Sequence, residues 1–142
     1  VATNTYMSAF YKICKNISEV IKNHNNDCEK YKLIINEFFV RRILDMLSQD
    51  YNANKKEFLT HLEEFAKDNQ NTIEYIVNSN MVNTEKNDYS ARQKEMVSNM
   101  FTALKNGNVK TIKSSLVKRK IVNYFRNILG SLKTFLKSII NK

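Results

Sequence analysis

The residues of this sequence that could do chemistry are two histidines, His24 and His61, two cysteines, Cys14 and Cys28, and scattered carboxylates. His61 has Glu57 four residues before it, Glu64 three after it, and Glu63 nearby. Steps of three and four place ionisable side chains on one helix face, where they pair in solvent. A general acid–base role for His61, Glu63 or Glu64 needs an enclosed pocket, which a compact helical bundle seldom supplies. His24 falls in the polar joint Asn23-His-Asn-Asn-Asp, and neither histidine has the ligand spacing of a zinc site. With two glycines in the chain there is no glycine-rich phosphate loop either. The expectation is a protein without metal, cofactor or enzymatic activity.

The cysteines invite a disulfide between a first helix and the start of a second. Nine helical steps from Cys14 to Asn23 climb ~13 Å. Cys28 begins the returning helix, so its level partner is nearer Lys22, whereas a disulfide needs Cα atoms about 4.4–6.8 Å apart. The spacing favours two small apolar thiols, with Cys14 in the core, and leaves the bridge open.

A different chemistry sits at the other end. The formal charge is +9, yet no Asp or Glu follows Glu95 while ten Lys and Arg do. The first 95 residues hold thirteen basic and fourteen acidic side chains, so the whole excess lies in the last third. There Ile121, Phe125, Ile128, Leu132, Phe135 and Ile139 recur at alternating steps of four and three, the stripe of an α-helix. Val122, Leu129, Leu136 and Ile140 widen it, and Arg119, Arg126, Lys133 and Lys137 fall on the polar side. Lys118, Arg119, Lys120, Arg126, Lys133 and Lys137 are the candidate contacts to an anionic surface. Phe125, Leu132, Phe135 and Leu136 would enter a membrane interface or fill the core. Entry would require the apolar face to leave the bundle, at ~25 cal/mol per Å² of lost burial. Nucleic acid fits the charge, but no recognition helix, finger or aromatic platform accompanies it.

Long helices must position these groups. Proline is absent, and Gly and Pro are the residues that break helices most strongly. A length of 142 residues with 42% hydrophobic side chains fits one domain over residues 1–142, and no apolar run reaches the roughly 18 residues of a membrane span. Twenty asparagines, poor inside helices and good at their caps, mark the joints. The first helix is expected over 5–23, with Tyr6, Phe10, Ile13, Ile17 and Val20 as its stripe and Met7, Cys14 and Ile21 beside it. The second, over 27–48, is apolar on more than one side and therefore central; Asn26 with Glu29 reads as its capping box. Asn54 with Glu57 repeats that pattern before a third helix running from Phe58 to Val77, continuous but bent near Asn69. Residues 78–88 read as a loop. Ser90 with Gln93 opens a fourth helix bearing Met96 and Met100, and Gly107 suits its left-handed end. The closing helix, 109–142, carries a weak point near Lys113–Ser115. The fold class is an all-α antiparallel bundle of four to five helices with a long amphipathic C-terminal helix.

Stretches such as Ile21-Lys-Asn-His-Asn-Asn and Asn83-Thr-Glu-Lys-Asn-Asp-Tyr, dominated by Lys, Asn and Ile, are those of proteins from AT-rich genomes. In composition and inferred architecture the chain resembles the secreted helical-bundle proteins that malaria parasites use in host-cell traversal and invasion. The resemblance implies a secreted or peripheral protein that acts at host membranes or through a partner. The chain starts at Val1 without a charged-then-apolar leader, so any targeting peptide is expected to be removed or not included. The functional expectation is contact with an anionic membrane or host-cell surface through the basic C-terminal helix. Its alternative is a helical protein-binding ligand or adaptor, with nucleic acid third.

Overall fold

A computed structural model describes residues 4–86 and 88–140, with backbone alone for Asn4, Thr5, Val109, Lys120, Ile121 and Val122. Every regular element among them is helical. They form seven rods rather than four or five: α1 (Asn4–Asn23), α2 (residues 32–53), α3 (Phe58–Asp68), α4 (Gln70–Asn78), α5 (Met81–Thr84), α6 (Ala91–Lys105) and α7 (Val109–Ile140). Rod α2 is continuous but changes pitch, with a π segment at Asn36–Val40 between α-helical Lys32–Ile35 and Arg41–Ala53.

Each departure from the expected boundaries has a local cause. The cap at Asn26 fails because Asn25 and Asn26 both take left-handed φ values, 58° and 57°, a conformation asparagine tolerates. Glu29 instead accepts a 2.5 Å hydrogen bond from Tyr75 Oη, tying the turn to α4. Asn54 likewise does not cap α3. It closes α2, and its Nδ2 donates to Asp50 Oδ1 at 2.8 Å. The third helix is two helices: Asn69, at φ −117°, is buried at the break, and its Nδ2 donates to the Phe65 carbonyl at 2.8 Å. The stretch 78–88 is not all loop. Asn80 turns left-handed at φ 52° and starts α5, which buries Met81 and Val82.

Other signals are read correctly. Ser90 and Gln93 make the reciprocal capping box, at 3.3 and 2.9 Å, a feature that contributes roughly 1 kcal/mol. Gly107 sits at φ +66°, with its N–H on the Leu104 carbonyl and the Asn108 N–H on the Ala103 carbonyl, the two bonds of a Schellman ending. Asn108 Oδ1 then accepts from the Thr111 N–H, and α7 runs without a break through 113–115.

One hydrophobic cluster extends from Met7 to Leu116. In α1 the buried line is Met7, Phe10, Cys14 and Ile21, about one residue round from the expected stripe. Tyr6, Ile13 and Val20 face solvent, because Ser18 turns inward to share a 2.7 Å hydrogen bond with Thr72 of α4. Rods α3 and α4 pack on α1, α6 packs on α4 and α5, and the first part of α7 packs on α6, α2 and α3.

Candidate functional site

Helix α7 changes character along its length. Ile112 and Leu116 are buried in the body, whereas every residue from Asn123 to Ile140 is exposed. Eighteen residues at about 1.5 Å each make an arm of ~27 Å. On it Phe125 is 58% exposed, Leu132 51%, Phe135 61% and Leu136 55%, so these four side chains do not belong to the core. Tyr124, Ile128, Leu129, Ile139 and Ile140 are exposed beside them. The cost foreseen for freeing this face from a bundle does not arise.

The six cations are placed differently from one another. Lys118, Arg126, Lys133 and Lys137 are exposed and make no ion pair among the described residues. Arg119 is spoken for: its Nη2 donates to Asp45 of α2, which pins the root of the arm to the body. The side chain of Lys120 lies outside the described residues. Met100 is buried, and Met96 is half-buried against the core with its outer side on a cleft between α6 and α7.

The polar site that sequence reasoning missed is Asp50, wholly buried in α2. Its carboxylate accepts from Tyr11 Oη of α1 at 2.6 Å and from Asn54 Nδ2 at 2.8 Å, and it lies 2.9 Å from His61 Nδ1 of α3. His61 therefore does not lie on a fully solvent face; its Nε2 stands 3.8 Å from Glu57 Oε2 at the surface. Desolvation, with the hydrogen bond to Asp50, holds the Tyr11 phenol far above its ordinary range. An aspartate fixing one imidazole nitrogen is the arrangement that orients a catalytic base. The cluster joins three helices, α1, α2 and α3, and the clefts along α7 are lined by other residues. Asp50 followed by Asn54 at one helical turn was the available signal, hidden because the expected second helix stops at residue 48.

Cys14 and Cys28 are both free and buried. Burial pushes the Cys14 thiol from 9.0 up to about 12. The folded chain thus holds this proton more tightly than the unfolded one. Its contribution is complete below pH 9 and is lost as the pH rises towards about 12. The urea midpoint is expected to fall across that window, with the raised Tyr11 and Tyr75 phenols adding to the loss at its upper end. Cys14→Ala should flatten the decline; an unchanged slope would mean the thiol is solvated.

Among the described residues no group of three or more His, Cys, Asp or Glu could hold a metal ion. No helix there is long and apolar enough to cross a membrane. Comparison with known proteins finds no matching family, no matching curated protein and no matching solved structure.

Proposed function

We propose that this chain is a non-enzymatic, secreted or peripheral helical-bundle protein that docks through the α7 arm on an anionic membrane or host-cell surface. The observation that carries the reading is the arm itself, an apolar face that no element among the described residues covers. At 100° per residue its apolar side chains span an arc of roughly 160°, broader than the two-position seam of a dimeric coiled coil. Arg126, Lys133 and Lys137 fall along one border of that arc. In an interfacial helix that border lies at headgroup level, where each cation contributes about 1 kcal/mol near acidic lipid. The Lys- and Asn-rich composition, similar to that of malaria-parasite traversal and invasion proteins, agrees with action at a host surface.

Co-sedimentation with acidic and with neutral vesicles, at low and at high salt, tests this. Binding should favour acidic vesicles and weaken with salt. Equal pellets on both would end the reading. The alternating steps of four and three also suit a helix-on-helix contact, which favours a protein partner as the second reading. That case would show as vesicle-independent self-association or as capture of a helical partner by the arm.

A further inference from the structure

A cleft of about 430 Å³ lies between the start of α6 and the root of the arm. Four cations line it, Arg92 from α6 and Lys118, Arg119 and Arg126 from α7, against one carboxylate, Glu95. Asp45 neutralises Arg119, so counting Glu95 as well an excess of two positive charges remains. Arg92, Lys118 and Arg126 make no ion pair among the described residues. Arg119 Nη1 is buried and has no hydrogen-bond partner among them. Like charges gathered in a concave wall repel unless an anion joins them.

We propose that this α6–α7 cleft binds a phosphomonoester, with Arg92, Lys118 and Arg126 around the phosphate. A phosphomonoester carries a charge of about −1.5 to −2 at neutral pH, which matches the excess, and three oxygens for the guanidinium forks. A phosphodiester carries a single charge and matches less well. The phosphate belongs either to a lipid headgroup or to a soluble ester. Only the lipid source rests on the membrane reading above; the site itself does not.

The test titrates glycerol 3-phosphate into the whole chain by calorimetry, and into two charge-matched double variants. Arg92→Gln/Lys118→Gln alters the cleft, while Lys133→Gln/Lys137→Gln alters the outer arm. Lys118 and Lys133 are fifteen residues apart, ~22 Å along the helix and beyond the ~8 Å screening length at physiological salt. The cleft variant should lose affinity by about tenfold or more and the arm variant by less than about twofold. Absence of saturable binding, or equal losses in both variants, overturns the proposal. Vesicles of phosphatidic acid and of phosphatidylserine at matched surface charge then assign the source. Preference for phosphatidic acid, lost in the cleft variant, places the phosphate on a lipid; no preference, with glycerol 3-phosphate still bound, makes it a soluble ester. Failure of the unaltered chain to sediment with phosphatidylserine would count against the membrane reading alone.

Discussion

Asp50→Ala is expected to lower the unfolding free energy by about 3–5 kcal/mol, read as a shift of the urea midpoint followed by far-ultraviolet circular dichroism. The carboxylate has no solvent exposure and takes donors from three sides. Removing it leaves Tyr11 Oη, Asn54 Nδ2 and His61 Nδ1 facing a void. An orphaned buried donor costs about 1–3 kcal/mol, and three share this void, although His61 and Asn54 are near enough to the surface to recover some hydration. Tyr11→Phe removes one donor from the same carboxylate without a cavity and should cost less, about 1.5–3 kcal/mol. Because the two act in one network their effects will not add: the double variant should be milder than the sum of the singles. A loss below about 1 kcal/mol for Asp50→Ala would mean that water reaches the carboxylate and that α1, α2 and α3 are held together by apolar packing alone.

This cluster also marks how far the sequence could be read. Helical class followed from the missing prolines, and α6 was legible at both ends because Ser90, Gln93 and Gly107 act within one turn of chain. Signals of that range need no knowledge of the rest of the fold. The asparagine caps failed for the opposite reason. Glu29 is claimed by Tyr75 of α4, a long-range partner that leaves no periodic trace, and Asn54 turns back onto Asp50, whose burial is set by Tyr11 and His61 from other helices. The bend expected near Asn69 is a break, since its buried amide ends α3 by turning back onto Phe65. The single-residue offset in α1 arose because Ser18, polar by type, is buried through Thr72. In the arm, periodicity placed the stripe but could not tell whether it faces a neighbour. Hydrophobic spacing encodes which side chains share a face, not what meets that face.

The contrast between Leu116 and the arm turns that distinction into a measurement within one helix. Leu116 is 2% exposed, so Leu116→Ala should cost about 2–5 kcal/mol through lost transfer energy and the cavity left behind. The triple variant Leu132→Ala/Phe135→Ala/Leu136→Ala removes far more apolar surface from side chains that are each more than half exposed. Alanine preserves helix propensity, so the unfolding free energy should change by no more than about 0.5–1 kcal/mol. Acidic-vesicle binding should behave in the opposite way. Each inserted Leu or Phe contributes about 1.5–3 kcal/mol when fully buried, and half of that, taken over three positions and less what alanine retains, corresponds to a loss of about tenfold to several hundredfold in affinity. Leu116→Ala, measured where it remains folded, should bind vesicles as the unaltered chain does. If the triple variant unfolds as readily as Leu116→Ala, the arm packs on the body in solution and its apolar face is structural. If it keeps both its stability and its vesicle affinity, attraction to the lipid comes from charge alone and the apolar face serves a protein partner. Only a stable bundle that no longer binds fits a helix whose inner half holds the fold and whose outer half enters a surface.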